Sequence, residues 1–212
     1  MIYCLGDMIG IGPSSNEVMG TLMEIPHLKM ITGNHDEAVL AVVNNEPYPE
    51  SRINVIPHHE WIADRLDPQY ISVLETLPRL INETIGEHFI HFIHYPMKED
   101  LLNVHISKDP FDLTGIPTPS NFSVLDNLND FSLVSFGHDH SSHKFSSKNK
   151  TFFNPGSVGC FDKPYARYGL LDINETDIDI KQKYVPYDFE AYLNQLREIK
   201  FPRKDVIMQI YK

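Results

Sequence analysis

Four short polar blocks, each closing an apolar run, constrain this chain more than any other feature. They are Gly6-Asp7 after the run 2–5, Gly33-Asn34-His35-Asp36 after 28–32, His94-Tyr95 after 88–93, and Gly137-His138-Asp139-His140 after 131–136. Apolar runs of this length, rich in β-branched and aromatic residues, read as buried strands. In an α/β sheet the C-terminal ends of strands open into one crevice, so polar residues placed there meet even when they are far apart in sequence. A carboxylate, an amide oxygen and several imidazoles together suit manganese, iron or zinc rather than an all-oxygen calcium site.

Between the blocks the first half alternates strand and helix, which implies a parallel sheet with crossover helices. Ser14 and Glu17 form a capping-box pattern ahead of one helix, and Asp67-Pro68 opens another. From residue 79 the period changes. The segment 79–95 reads as a hairpin turning near Gly86, and 131–136, 143–147, 151–154, 166–173 and 176–185 read as further short strands. A helix over 188–199 follows, and the proline-bearing stretch 97–121, without periodicity, reads as a surface excursion near the site.

Each block also has a plain structural meaning. Gly-Asp after a strand is commonly a turn, and Asn34 suits the start of a helix with His35 and Asp36 in its first turn. Period two puts His88 and His94 on one strand face and His91 on the other, where packing or hydrogen bonding accounts for it. Gly-His-Asp-His is harder to explain as structure alone, because two imidazoles at i and i+2 after a glycine form a compact ligand pair.

The 212 residues fit one domain over 1–212, with 42% hydrophobic and 22% charged content and no apolar run near the roughly twenty residues of a membrane span. A formal charge of −11 without a Lys/Arg run argues against stable nucleic-acid binding, and an anionic substrate then needs a metal to attract it. Cys4 and Cys160 give neither a disulfide framework nor a metal spacing, and no secretory signal is visible, so the cytoplasm is the expected compartment.

Taken in order, the four blocks and the Asn154–Gly159 loop (NPGSVG) resemble the calcineurin-like metallophosphoesterases, most closely their small bacterial phosphodiesterase and phosphatase branch. The resemblance implies an α/β/β/α sandwich and phosphoester hydrolysis by water activated at two divalent ions, manganese first, with iron, zinc or nickel as other choices. Residue by residue it implies Asp7 as the bridging carboxylate, Asn34, His94 and His138 as the rest of one metal position, and His140 in the other. It implies His35 as proton donor or charge stabiliser, with Asp36 orienting it, and residues 7–15 as a pocket wall. Two departures stand out. Tyr95 replaces a usual glycine and is expected to narrow the approach to the site. The first strand and helix of the family, which carry Asp-x-His, are missing, so the chain is expected to be N-terminally truncated at Met1, marginally stable and impaired in hydrolysis. The substrate class implied is a small phosphoester, nucleotides among them. The alternative is a scaffold that keeps the fold without hydrolysis, as the similar retromer subunit does.

Overall fold

The computed structural model describes residues 1–123, 131–147 and 150–212. Strand β1 (Ile2–Cys4) runs parallel to β2 (Leu28–Met30), with Ile2 opposite Leu28 and Cys4 opposite Met30, and helix α1 (Ser15–Met23) joins them. The parallel pairing expected of the first half is therefore a two-stranded sheet. Helix α2 (Asn34–Val43) follows, then a 3-10 turn (Glu50–Val55), α3 (Ile56–Ala63) and α4 (Pro68–Leu74). Pro68 opens α4 where a missing N–H is harmless. The Ser14 capping box does not form. Its backbone, at φ −107° and ψ 46°, lies outside the extended conformation that aims an N-cap side chain at the first turn.

The central sheet has five strands in the order β3-β4-β5-β7-β6. Strands β3 (Leu80–Ile85) and β4 (His88–Ile93) form the expected hairpin through Gly86, whose φ of +61° favours glycine. Strands β4, β5 (Leu133–Phe136) and β7 (Lys150–Asn154) are parallel, and β6 (His143–Ser147) returns antiparallel at the edge. All four residues of β5 are buried, as a strand covered on both faces requires. The hairpin of β8 (Tyr165–Ile173) and β9 (Ile178–Pro186) stands as a separate antiparallel pair, followed by α6 (Phe189–Glu198) and α7 (Lys204–Ile207). The result is a mixed α/β fold with a central mixed sheet.

One core cluster joins Ile90, Phe92, Leu133 and Phe153 of the central sheet to Tyr3 and Leu5 and to Leu171, Ile173, Ile178 and Ile180 of the hairpin. The Tyr3 and Phe92 rings stack at 3.8 Å, which carries the end of β1 to the end of β4. A second cluster contains Met97, Ile106, Phe111 and Phe122 beside Val134, Phe136 and Phe152. The stretch 97–121 is thus core as well as surface, because burying each phenylalanine contributes about 1.5–3 kcal/mol. It ends in the short helix α5 (Pro119–Phe122), capped by the Thr118 side chain. Arg79 clasps it to α2, pairing with Glu37 and donating to the Leu101 and Leu102 carbonyls. Among the described residues no helix is long and apolar enough to cross a membrane.

Candidate metal centre

The ends of β1 and β2 touch through two glycines. A Cβ on Gly33 would lie 2.2 Å from Asp7 Oδ1 and 2.5 Å from Asp7 N, so only glycine lets these loops meet. Gly6 has a φ of +90° and is bounded by Gly33 and His94 in the same way. Asp7 follows at φ 55°, an uncommon conformation for a side-chain-bearing residue, and His138 shares it at φ 62°. Such backbone persists where the surroundings over-determine it, which is common at working sites.

The surroundings do so here. Asp36 accepts from the backbone N–H groups of Asp7 (2.8 Å), Ile9 (3.0 Å) and Gly33 (2.9 Å), while Asp7 Oδ1 accepts from His35 N at 2.8 Å. The Asp36 carboxylate therefore shapes the loop. Among the described residues it makes no hydrogen bond to His35, contrary to the orienting role expected of it, because its position in the first turn of α2 turns it back to the preceding N–H groups.

His94 Nδ1 lies 2.5 Å from the Leu5 carbonyl, which can only accept, so Nδ1 carries a proton and Nε2 faces Asp7 Oδ2 at 3.2 Å. The His94 carbonyl in turn accepts from Gly137 N at 2.8 Å, which fixes the start of the Gly137–His140 loop. Asn154, fully buried, completes that anchor by donating to the carbonyls of Gly137 (2.9 Å) and Asp139 (2.6 Å). The ligand atoms of Asp7, His94 and His138 all lie within 4.8 Å of one another. The Asn34 amide sits among them, 3.1 Å from His94 Nε2 and 2.6 Å from His138 Nδ1.

Asn34 has two useful orientations. With Nδ2 toward the imidazoles it donates to both, and Oδ1 accepts from Arg52 at 2.8 and 2.9 Å and from His35 N at 3.1 Å. Turned the other way, it adds an oxygen to the donors of Asp7, His94 and His138. Burial would push the Asp7 carboxyl up, but the positive influence of His94, then of His35, outweighs it and holds Asp7 below the usual carboxylate range. Asp36 shifts the opposite way, raised by burial and then by the Asp7 charge. His94 is raised, since Asp7 more than offsets its burial.

The His35 side is built differently. Burial draws His35 down to about 4 and His59, a fully buried residue of α3, to about 3. His59 Nε2 lies 3.1 Å from His35 Nδ1 and 3.0 Å from the Gly10 carbonyl, and Tyr48 Oη lies 2.8 Å from His59 Nδ1. The neighbouring His58 Nε2 takes the Ile11 carbonyl at 2.8 Å. Two consecutive imidazoles thus hold the loop after Asp7, and its residues Met8, Ile9 and Ile11 are core rather than open pocket wall. Arg52 also pairs with Asp112 at 3.3 Å, and Asp112 lies 3.4 Å from His138 Nε2. None of His59, Tyr48, Arg52 and Asp112 stands out in the sequence: they follow no glycine-terminated strand.

Tyr95 is buried, its ring 4.6 Å from that of His138, and its hydroxyl donates to the Gly115 carbonyl. With Asp112, Gly115, Ile116, His138 and Asp139 it lines a cavity of 330 Å³, so it forms a side of the space next to His138. His140 lies outside the group of mutually close ligand atoms. Its backbone carbonyl is tied to Arg167, and burial lowers its basicity while the Asp7 charge raises it. Arg167 itself stacks on Phe161 at 3.6 Å and fills the space beside Gly156.

The donor set fits a divalent ion. Two oxygens and two imidazole nitrogens converge, His94 is held by a carbonyl in the form that presents Nε2, and the Asp7 carboxyl stays ionised. Residues 1–176 match the calcineurin-like phosphoesterase superfamily domain. A Methanocaldococcus jannaschii protein is 23% identical over 216 residues, covering 95% of this chain and 82% of its own. A solved Pyrococcus horikoshii protein aligns over 99% of this chain and 83% of its own, with a TM-score of 0.73 and 17% identity. A metallophosphoesterase from Sphaerobacter thermophilus aligns over 99% and 87%, with a TM-score of 0.66 and 20% identity. At these identities the two structures establish the fold alone.

Proposed function

The chain belongs to the calcineurin-like phosphoesterase superfamily, and from that premise we propose that it hydrolyses small phosphoesters, nucleotides among them, in the cytoplasm with manganese as its ion. The observation that carries this reading is the convergence of Asp7, His94 and His138 around the Asn34 amide, with His35 bonded through its backbone to Asp7. Asp7, Asn34, His94 and His138 would hold one ion, and His140 would belong to a second position. When bound, the ions supply Lewis-acid stabilisation of phosphoryl charge and a nucleophile available at neutral pH.

The chain's own residues do the rest. The Leu5 carbonyl holds the His94 ring so that Nε2 faces Asp7, and Gly33 keeps the Asp7 carboxylate pressed against α2. Arg52, half of an ion pair and adjacent to Asn34, offers a guanidinium to a phosphoryl oxygen. His35 offers its ring to the charge that develops on the phosphoester.

A second reading, a fold retained for binding without hydrolysis, draws on Arg52 and Asp112. Both already engage prospective ligands, Asn34 and His138. Manganese titration by calorimetry paired with hydrolysis of bis(p-nitrophenyl) phosphate separates the two. Binding with turnover that disappears in His35→Ala supports the hydrolase. A folded chain that binds no manganese and turns nothing over sinks it.

A further inference from the structure

Around the His35 ring, half-buried Tyr48, buried His59 and the Gly10 carbonyl form a hydrogen-bonded chain that phosphoester hydrolysis as described does not use. Tyr48 Oη lies 2.8 Å from His59 Nδ1, and His59 Nε2 lies 3.0 Å from the Gly10 carbonyl and 3.1 Å from His35 Nδ1. The proton positions follow from what each partner can do. A carbonyl oxygen only accepts, so His59 Nε2 carries a hydrogen. A ring nitrogen that carries a hydrogen has no lone pair to offer, so His35 Nδ1 cannot donate to it and must accept. One N–H is then shared between Gly10 O and His35 Nδ1 as a three-centre bond. With its Nε2 protonated, neutral His59 has a lone pair on Nδ1, and the Tyr48 hydroxyl donates to it in preference to the Arg52 carbonyl at 3.3 Å.

We propose that His59 is a positioning residue: it fixes His35 in the tautomer protonated on Nε2, so that a phosphoester meets a neutral hydrogen-bond donor there. The consequence for charge stabilisation rests on the phosphoesterase reading, while the tautomer itself does not. A neutral imidazole gives up its N–H only with difficulty, so His35 stabilises developing negative charge by hydrogen bonding, as a polarising group. The surroundings support a rigid relay. His59 is fully buried, packs edge-on to His35 with ring centroids 5.3 Å apart, and shares α3 with His58, which holds the next carbonyl of the same loop. A Cβ on Gly10 would come within 2.7 Å of the His35 Cβ, so loop and ring are in close contact on that side as well.

The test reads the tautomer directly. In long-range ¹H–¹⁵N spectra of the metal-free chain carrying ¹⁵N-histidine at neutral pH, His35 is assigned by the signals lost in His35→Gln. It should show a protonated Nε2 and a lone-pair Nδ1. His59→Gln, whose amide N–H replaces the ring N–H, should preserve that pattern. His59→Phe should return His35 to a tautomer mixture and, with manganese and bis(p-nitrophenyl) phosphate, lower kcat roughly ten- to a hundredfold, the range for losing an orienting partner. KM should stay within about twofold. Tyr48→Phe should act in the same direction more weakly. A wild-type His35 protonated on Nδ1 overturns the proposal without any variant, and so does an unchanged His35 spectrum in folded His59→Phe. If every form is inert yet the tautomers behave as stated, the phosphoesterase reading fails and the assignment of His59 stands.

Discussion

The two sides of the site orient their histidines by different means. On one side His94 is set by a backbone carbonyl, that of Leu5, and every prospective ligand stands at a strand end or in the first turn of a helix. On the other side His35 is set by a side chain, His59, which lies within a helix and is itself held by Tyr48 from a loop. Backbone orientation survives most substitutions nearby, whereas side-chain orientation fails with a single residue. The ligand side should therefore be most sensitive at its ligands and glycines, and the His35 side at residues remote from any ion.

The sharpest way to break this comparison is to remove a ligand. His94→Ala should weaken manganese binding by more than the roughly hundredfold that losing an outer partner costs, and abolish turnover, as calorimetry and hydrolysis assays would record. If binding survives, the ion does not sit where these residues converge. Next in size is Asp36→Ala, which strips the acceptor from the N–H groups of Asp7, Ile9 and Gly33. Each unsatisfied buried group costs about 1–3 kcal/mol, so urea denaturation should show a loss of at least about 3 kcal/mol. An effect confined to activity would instead restore the expectation that Asp36 serves His35.

Another buried imidazole, His91, lies outside both sides, with Nδ1 2.6 Å from Asn82 Oδ1. Burial, then the charge of Lys150, draws it down to about 4. The folded state keeps His91 neutral while the unfolded chain protonates it below about pH 6.5. Its contribution is thus complete above that pH and is lost as pH falls toward 4, at up to about 1.4 kcal/mol per pH unit. Denaturation of metal-free wild type and His91→Gln across this window should differ by that slope. The smallest effect belongs to Arg52→Gln. Freeing Asn34 from a guanidinium should tighten manganese binding about fivefold, on the scale of one hydrogen bond, and a weakening would mean that Arg52 supports the ligand set.

Much of the ligand side was legible in the sequence because strand ends carry it. Glycine followed by Asp, Asn or His after an apolar run marks both the close backbone approach at Gly33 and the left-handed turns at Asp7 and His138. The strands of the central sheet were legible as a hairpin over 79–95 and short runs at 131–136, 143–147 and 151–154, but their joining into one five-stranded sheet was not, because pairing between distant strands leaves no local mark. The His35 side was hidden for a physical reason: His58 and His59 sit in a helix, where neighbouring polar residues usually mean a solvated face, yet both are fully buried because the loop after Asp7 presents carbonyls to them. The stretch 97–121 misled in the opposite direction. Its prolines suggested surface, but Phe111 and Phe122 anchor it in the core and bring Asp112 to His138.

The bonds that assemble the ligand side span long reaches of chain: 89 positions from Leu5 to His94 and 104 from Asn34 to His138. Loops of that length must close before their contacts return anything, so this corner forms late in folding. During synthesis the ligand set stays incomplete until His138 has emerged, well after β1, β2 and α2 have been made. An ion added at the start of refolding should leave the folding rate alone and act on the reverse process, holding the finished protein closed.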